Sequence, residues 1–497
     1  MYRSRHKADL DRHTLNFLSS IDIDNKILYY DILCTKAHVI MLSEIRLLNQ
    51  NELVSIIAEL DRVLKHPENL ARDGFEDIHE SLETHLIRKI GMDIGGKIQT
   101  GRSRNDQVIT DIRIKARDDL IDIFIHVINL VRLLLQKSQE NLNSVMPLYT
   151  HLQQAQIGNF AHYLISYSEI LIRDINRLFS LYERINESPL GAGPIGGSIF
   201  PLNRRKTAKL LGFRNIVSNT IDATSSRDFM IEFTSDISSI MITLSRIAED
   251  LIIWSSQEFG FIEINDKHAS TSSAMPQKKN PDPLELMRSK AAIVIGNLTS
   301  IMTILKSLPS GYSRDLQDIK IPFWNSIEIV SSSLVMIRNI IDSLEVKKEA
   351  MLKASNIGYA VSLDISELLV LKHKLPFRTA HKLVGALVSK SISKNNTSLN
   401  QLNIMEIKEI LDKMKISMAP DKLIRVVNEI DIQRSISTRR SEGSPNPKEQ
   451  IKYIKKYRNM LKKYLNNVKE MKNEIDTAKE NLTNAISHIR KSKALRI

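Results

Sequence analysis

Hydrophobic positions along this 497-residue chain recur at intervals of three and four residues over unusually long segments. One segment runs from Gln107 to about Asn141, and a second runs from His151 to about Arg184. Three more run from Ser226 to Trp254, from Pro283 to Leu305 and from about Pro322 to Leu344. This spacing places the apolar side chains of each segment on one face of an α-helix. Because helices of about 25–35 residues exceed the usual length, the pattern predicts an all-α fold around a long central helical bundle.

Changes in residue composition divide the chain into four predicted regions. Charged residues replace the apolar stripe at Glu345–Lys353, and the segment Ser441–Pro447 contains one glycine and two prolines that break the helical pattern. The predicted regions are an N-terminal helical domain (1–101), a central long-helix bundle (102–350), a small C-terminal helical domain (351–445) and a basic helical tail (446–497).

The tail carries apolar residues separated alternately by three and four positions. The series is Ile454, Tyr457, Leu461, Tyr464, Val468, Met471, Ile475, Ala478, Leu482, Ala485 and Ile489. Such a heptad pattern predicts one long helix with a narrow apolar seam. The seam could pack on its own subunit or pair with another tail, and the pattern leaves both arrangements open. In either case we expect the tail to reinforce the assembly without touching the chemistry.

The net charge of +13 is concentrated in the same tail. Fourteen Lys and Arg residues and five Asp and Glu residues lie between Lys448 and Ile497, a net charge of +9 that leaves +4 for the other 447 residues. The body of the chain is therefore close to balanced. Because no zinc-finger spacing or aromatic-rich RNA-binding motif accompanies the tail, we do not expect a nucleic-acid partner.

Cysteine content and hydropathy indicate the cellular compartment that we expect for the chain. Its single cysteine, Cys34, excludes an internal disulfide framework and a multi-cysteine metal site, which fits a reducing, cytoplasmic compartment. The first residues, Met1–His6, are polar and unlike a signal peptide. No window of about 18 consecutive apolar residues occurs, so we expect no membrane-spanning segment.

Two polar segments in the first third of the chain suit the binding and protonation of a substrate. Residues 95–107 contain Arg102 and Arg104 just before a predicted helix, and guanidinium groups bind carboxylates in a planar, bidentate manner. Residues 149–156 place His151 at the predicted entrance of a helix, and histidine exchanges protons near neutral pH. Taken alone, the first segment could be a solvated loop and the histidine a helix cap.

A third polar segment, residues 270–281, is rich in hydroxyl groups and then in cations, and it precedes a helix that carries Glu285. Such a loop could close over a substrate and bring hydroxyl, ammonium and amide groups to developing negative charge. A basic surface loop is the alternative if this segment is considered by itself.

Together the three segments resemble the three signature regions of the fumarase/aspartase superfamily. The sequences of Thr100–Gln107 (Thr-Gly-Arg-Ser-Arg-Asn-Asp-Gln) and Met275–Pro281 (Met-Pro-Gln-Lys-Lys-Asn-Pro) resemble those of the argininosuccinate lyase family within this superfamily. Gln277 and Lys279 disfavour the related lyases that act on adenylosuccinate. Further matches, which extend the similarity over about residues 15–445, are Glu76–His79, Asp222–Ser225, Arg227–Phe229, Arg314–Gln317 and Leu375–Arg378.

The resemblance implies an anti elimination that splits argininosuccinate into arginine and fumarate. By position, Ser272 would be the base, and Lys278 and Asn280 would hold the carboxylate that becomes an aci-carboxylate dianion. His151, oriented and polarised by Glu285, would serve the leaving nitrogen. His151 is also the alternative base, and the sequence leaves that choice open. The matching positions imply further substrate contacts from Ser20, Arg104, Asn105, Thr150, Tyr312, Gln317 and Lys320.

The resemblance also implies a homotetramer in which each active site collects its three segments from three different subunits. It implies no organic cofactor, and the chain contains no recognisable metal-binding motif, so we expect no cofactor and no metal. The expected partners are a small-molecule substrate and further copies of the chain. A structural homologue such as the lens delta-crystallins is the main alternative, and the intact His151, Ser272 and Lys278 argue against it.

Three positions depart from the pattern of the family that the chain resembles. Thr271 stands where the family usually has Gly before its serine pair, Gln99 replaces a usual His, and Ile319 occupies a usually acidic position. The N-terminal Trp-Gly-Gly-Arg-Phe element is missing as well. None of these departures removes a catalytic candidate, but Thr271 and Ile319 leave the turnover rate open.

The segment Gly191–Gly196 formally matches the glycine pattern of dinucleotide-binding loops. That pattern requires a preceding strand and a following helix. Here a helical pattern precedes the segment and Pro201 follows it, so we expect a structural turn.

Overall fold

The computed structural model describes Ala8 and residues 10–494, and α-helices dominate that part of the chain. The helices are α1 (Arg12–Leu18), α2 (Ile21–Asp24), α3 (Leu28–Glu44), α4 (Gln50–Lys65), α5 (Ile78–Ile90), α6 (Met92–Gly95), α7 (Arg104–Glu140), α8 (Phe160–Ile185), α9 (Arg204–Leu210), α10 (Thr220–Ser225), α11 (Asp228–Ser255), α12 (Asp282–Leu305), α13 (Lys320–Asp342), α14 (Lys348–Ser355), α15 (Ser362–His373), α16 (Phe377–Ser393), α17 (Ile404–Lys413), α18 (Pro420–Glu429), α19 (Ile432–Ser437) and α20 (Pro447–Ala494). The predicted all-α fold is confirmed.

The strands are short and form two-stranded sheets. They are β1 (Val145–Thr150), β2 (Gln153–Asn159), β3 (Glu187–Ser188), β4 (Asn215–Ile216), β5 (Ile262–Glu263), β6 (Ser270–Thr271), β7 (Lys279–Asn280) and β8 (Glu345–Val346). The pairs β1–β2, β5–β8 and β6–β7 are antiparallel, and β3–β4 is parallel.

Four of the five predicted long helices, α7, α11, α12 and α13, have nearly the predicted bounds. The start of α7 follows from local chemistry, because Ser103 and Asp106 form a reciprocal capping box around its first turn. One hydrophobic cluster joins these helices to α3, α4, α5 and α8, and a second cluster lies in α15–α18. No helix in the described part of the chain combines the length and apolarity that a membrane crossing would require.

The prediction that a helix begins at His151 is wrong, because residues 145–159 form the β1–β2 hairpin. The helix, α8, begins at Phe160, where the Asn159 side chain accepts a hydrogen bond from the His162 amide. A Cβ on Gly158 would lie 2.7 Å from the Leu148 side chain, so the two strands approach closely only because Gly158 is glycine. The helical spacing assumed from the sequence for Gln153 and Gln156 cannot detect this strand pairing.

The long helices carry the chain back and forth between two ends of the bundle. We call the end with Arg104 and Asn105 the proximal end, and the end with the β1–β2 hairpin the distal end. The loop after α8 returns to the proximal end, where the Asn105 side chain donates to the Pro194 carbonyl over 2.9 Å. The loop after α11 reaches the distal end, where the rings of Tyr149 and Phe259 lie 5.8 Å apart.

The helix α12 then leads back to the proximal end, where Arg314 donates to Glu76 over 3.0 Å. Glu76 also lies 3.8 Å from the Arg104 guanidinium, so the segment after α12 joins the start of α7. This alternation determines which polar segments can meet within one chain.

The tail forms the 48-residue helix α20, and its seam packs on its own chain against α4, α7, α8 and α9. Leu461, Val468 and Leu482 are each 3% exposed. Polar contacts fix the register: the Tyr464 hydroxyl donates to Asn176 over 2.8 Å, and Arg214 pairs with Glu474 at 3.0 Å. Of the two arrangements that the heptad pattern left open, the structure has the intramolecular one.

Because the seam is part of the main core, Leu461→Ala is expected to lower the free energy of unfolding by about 2–5 kcal/mol. The matched control is Lys462→Ala, whose exposed side chain should contribute within about 0.5 kcal/mol. Denaturant unfolding of both variants at equal protein concentration measures the difference. Equal stability of Leu461→Ala and the parent chain would contradict the packing of the seam.

Candidate active site

Six predicted substrate-binding residues lie together at the proximal end: Ser20, Arg104, Asn105, Tyr312, Gln317 and Lys320. The Lys320 ammonium donates to the Ser20 hydroxyl over 3.2 Å. The Gln317 amide donates to the Leu18 carbonyl over 3.0 Å, which fixes the segment after α12 against the segment before α2. A cavity of about 880 Å³ opens beside Ser20 and Gln317, but the other four residues do not line it.

Two buried carboxylates that sequence reasoning missed hold this group in place. Asp24 is fully buried, accepts from the Ser20 hydroxyl over 2.6 Å, and pairs with the Lys320 ammonium. Asp77 accepts from Arg104 over 2.7 Å and caps α5 through the Glu80 amide. Burial acts to raise the pKa of Asp77, but the charges of His79 and Arg104 outweigh it and lower that pKa. The spacing of Ser20 and Asp24, four residues apart on one helical turn, was the available signal.

A buried polar cluster of Asp31, His79 and Asp111 lies behind Asp77 and joins α3, α5 and α7. The His79 Nδ1 atom lies 3.1 Å from Asp31 Oδ2 and 3.8 Å from Asp111 Oδ2. These three residues have the spacing of possible metal ligands, but a protonated His79 already supplies a positive charge between the two carboxylates. Burial acts to lower the pKa of His79, and the charge of Asp31 outweighs it and raises that pKa to about 9.

This pairing predicts that stability falls as the pH rises. His79 has a raised pKa in the folded chain, so its contribution is complete below its ordinary pKa of 6.5 and is lost as the pH rises towards about 9. The thermal midpoint should therefore fall between pH 6.5 and pH 9, and the fall should be smaller in His79→Gln. Asp31→Asn is a second test if His79→Gln does not fold, because Asp31 is the carboxylate nearest to His79. A midpoint that falls equally in the parent and both variants would contradict the pairing.

The glycine-rich segment Gly191–Gly196 also belongs to the proximal end, as a turn. The amides of Gly191 and Gly193 donate to Asp106 Oδ2 over 2.8 and 2.9 Å, and both glycines have positive φ. The prediction of a structural turn is confirmed. The turn is attached to the first turn of α7, beside Arg104 and Asn105.

The predicted catalytic loop lies between β6 and β7, whose pairing of Ser270 with Asn280 and of Thr271 with Lys279 closes its base. The Ser272 Oγ atom accepts from the amides of Ala274 and Met275 over 3.3 and 3.0 Å. Thr271 thus belongs to the paired base, and Ser272 is the first residue of the free loop.

The two lysines of this loop have different surroundings. The Lys279 ammonium lies 2.7 Å from Asp266 and 3.4 Å from Glu263. Lys278 is exposed and forms no ion pair with any described residue. Lys278 is therefore the lysine whose charge is free to meet an anion.

Thr150 and His151 lie at the exposed tip of the β1–β2 hairpin, and not at a helix entrance as the sequence predicted. Glu285 is exposed in the first turn of α12, close in sequence to the loop that carries Ser272. The predicted residues at the distal end are therefore Thr150, His151, Ser272, Lys278, Asn280 and Glu285.

The structure thus separates the predicted site into two groups at opposite ends of the bundle. The 37 residues of α7 span about 55 Å. Residues 141–143 form a turn, and the eight residues from Ser144 to His151 can bring the hairpin tip back by at most about 29 Å. His151 and Arg104 of one chain are consequently too far apart to contact one small molecule.

Comparisons with known proteins agree with this architecture. A lyase family model matches residues 10–296, and a model described as the C-terminal part of argininosuccinate lyase matches residues 359–435. The chain is 44% identical to argininosuccinate lyase of Nitrosopumilus maritimus over 91% of this chain and 93% of the relative. It is 36% identical to that of Methanosarcina mazei over 98% and 99%, an alignment that includes most of α20.

Solved structures give the same result at the level of the fold. An EDDS lyase in complex with formate superposes with a TM-score of 0.87 at 28% identity, over 97% of this chain and 95% of that one. A class II fumarase from Schistosoma mansoni shares the fold, with a TM-score of 0.70 at 14% identity over 83% and 91%. With its sequence relatives aligned over nearly their full lengths, the chain belongs to the argininosuccinate lyase family.

Proposed function

We propose that this chain cleaves argininosuccinate into arginine and fumarate by an anti elimination at a site that combines the two ends of the bundle. The relatives named argininosuccinate lyase support the overall reaction. The observation that carries the mechanism is the Ser272 Oγ atom, which accepts hydrogen bonds from two backbone N–H groups in the loop that also carries the unpaired Lys278.

In this mechanism Ser272 is the base. A serine hydroxyl is a weak base, so its alkoxide requires stabilisation, and the two amide donors with the nearby ammonium of Lys278 supply it. The Ser272 hydroxyl first releases its proton to water, and the resulting alkoxide takes the proton from the carbon beside a succinyl carboxylate. The electron pair of that C–H bond moves into the carboxylate to form the aci-carboxylate dianion, which Lys278 and Asn280 stabilise.

The dianion then collapses to fumarate as the carbon–nitrogen bond breaks, and the electrons of that bond stay on the guanidine nitrogen of arginine. His151, with Thr150 beside it on the hairpin tip, delivers the proton to this nitrogen, and Glu285 orients the imidazole. In the alternative assignment His151 is the base. The two assignments differ in the expected effect of removing Ser272.

The proximal group binds the substrate. Arg104 and Asn105 bind a carboxylate, with the guanidinium held in place by Asp77. Ser20, Tyr312, Gln317 and Lys320 line the remainder, with Asp24 fixing Ser20 and Lys320. Neither an organic cofactor nor a metal has a role in this mechanism, and the partner is a small molecule.

The separation of the two groups supports a homotetramer with shared sites. Since one chain cannot bring His151 to Arg104, the proximal group of one copy must meet distal segments of other copies. With the hairpin and the Ser272 loop supplied by different copies, each site collects its three segments from three subunits. The outward face of α12 carries apolar side chains that are uncovered within the chain, with Leu286 57% and Ile293 48% exposed, which suits burial against a second copy. We place this assembly in the cytoplasm, because its one cysteine is buried and unpaired.

The test of the activity follows fumarate release from argininosuccinate by ultraviolet absorbance. Adenylosuccinate and aspartate are the controls, and neither should release fumarate at a comparable rate. Release from adenylosuccinate alone would indicate the related lyase activity. A folded tetramer without activity on any of the three would support the structural role of a delta-crystallin-like protein.

Arg104→Lys is expected to lower kcat/KM clearly, although the charge is retained. A charge-assisted contact contributes about 1.5–3 kcal/mol, and a lysine cannot reproduce the fork that holds both Asp77 and a substrate carboxylate. Arg173→Lys, on the exposed face of α8, is the matched control and should behave like the parent. An unaltered kcat/KM in Arg104→Lys would count against the binding role.

A further inference from the structure

The tip of the β1–β2 hairpin has an unfavourable backbone and an exposed apolar side chain. Thr150 pairs with Gln153, so His151 and Leu152 form a two-residue loop, and both have a φ of 56°. Such loops favour Asn and Gly, because the left-handed conformation is unfavourable for other residues. Leu152 is 69% exposed, so its burial within the chain does not offset this cost.

An apolar patch with no cover lies at the opposite end of the bundle. We define the 195–200 patch as Ile195, Ile199 and Phe200, which are 40%, 98% and 36% exposed. The preceding Pro194 accepts from the Asn105 side chain over 2.9 Å. A Cβ on Gly311 would meet the Ile195 side chain at 2.8 Å, which places the patch beside the residue that precedes Tyr312. The patch therefore borders the proximal group.

These two features belong together if the site is shared between copies. The hairpin tip that carries His151 must then lie within the length of one substrate molecule from Asn105. Leu152 is next to His151, and the patch is next to Asn105, so the two exposed apolar surfaces come to the same place. Burial of the leucine side chain is favourable and opposes the cost of the left-handed backbone.

We propose that Leu152 of one copy packs on the 195–200 patch of another copy, and that this contact holds the hairpin tip in the conformation that orients His151. Leu152 is thus a positioning residue that does not touch the substrate. The inference rests on the shared site of the proposed function, and it adds the surface on which the histidine segment docks.

Disulfide trapping tests the contact directly. Three double variants combine Leu152→Cys with Ile195→Cys, Ile199→Cys or Phe200→Cys, and a disulfide forms only when the two Cα atoms come within about 7 Å. The native Cys34 is buried and does not interfere. The matched control combines Leu152→Cys with Met405→Cys, since Met405 is 71% exposed on α17, outside the proximal group. Mild oxidation followed by non-reducing electrophoresis detects linked dimers.

We expect linked dimers in at least one of the three patch variants and none in the Met405 control. An absence of linkage in all three, or equal linkage in the control, would overturn the contact. Trapping does not depend on catalysis, so its failure in an active tetramer would refute the contact alone. Linkage in a double variant whose parent chain releases no fumarate would leave the contact standing and refute the proposed reaction.

Kinetics test the positioning role. Leu152→Gly removes the backbone strain together with the side chain, so the thermal midpoint should not fall, while kcat should fall about tenfold with KM nearly unchanged. Leu152→Met, which keeps an apolar side chain, should restore most of kcat. A kcat equal to the parent value in Leu152→Gly would refute the positioning role, and so would a loss that Leu152→Met does not repair.

Discussion

Ser272→Ala is expected to leave the fold and the assembly intact and to lower kcat by about 10²–10⁴-fold, the usual contribution of a general base. The loss follows from the position of Ser272, whose Oγ atom accepts from the amides of Ala274 and Met275. Removing that oxygen leaves both donors without the alkoxide that they stabilise. Fumarate release at saturating argininosuccinate measures the effect.

The matched control is Ser273→Ala, an exposed serine of the same loop. It should retain activity within a few-fold of the parent, since neither amide donates to its side chain. Turnover of Ser272→Ala within roughly threefold of the parent would exclude Ser272 as the base. Combined with a large loss in His151→Asn, that result would give the base role to His151.

The second large effect is a recovery of activity on mixing two inactive variants. Arg104→Met damages the proximal group and Ser272→Ala damages the distal group, so each variant alone should have little activity. The two variants are unfolded together in equal amounts and reassembled. A site is then intact if its Arg104 comes from a Ser272→Ala chain and its Ser272 comes from an Arg104→Met chain. Random assembly makes about a quarter of the sites intact, so about a quarter of the parental activity should return.

The control mixes Ser272→Ala with the double variant Arg104→Met/Ser272→Ala. It should recover nothing, because every chain then lacks the serine. Different affinity tags on the two variants show that mixed assemblies have formed. Mixed assemblies without recovered activity would contradict the shared site, and they would require both groups to come from one chain despite the length of α7.

The long helices were predictable because their periodicity is local. Residues three and four apart share a helix face whatever lies around them, and the burial of Phe233, Ile237 and Leu244 on α11 follows that rule. The β1–β2 hairpin was not predictable in this way. Its pairing depends on the closeness of Leu148 and Gly158, ten residues apart, and the adjoining helix begins only at the Asn159 cap.

The chemical groups were recognised from the sequence, but their support was not. Ser272, His151 and Arg104 belong to sequence motifs that indicate their chemical role without coordinates. Asp24 became visible only when folding placed Lys320 beside it, because the two residues are nearly three hundred positions apart. The unpaired state of Lys278, compared with the paired Lys279, likewise depends on Asp266 and Glu263 folding against the loop.

The sequence by itself determined the helical class, the long bundle, the heptad seam and the residue types of a carbon–nitrogen lyase. These properties reside in neighbouring residues or in motifs, so they can be read without coordinates. The tertiary structure decided that α20 packs on its own chain, since burial of its seam depends on the surfaces of α7 and α8. It also decided that the predicted residues form two groups at opposite ends of the bundle. The physical reason is the rigid rise of a helix, about 1.5 Å per residue, which keeps the ends of α7 apart and requires another copy to bring the two groups together.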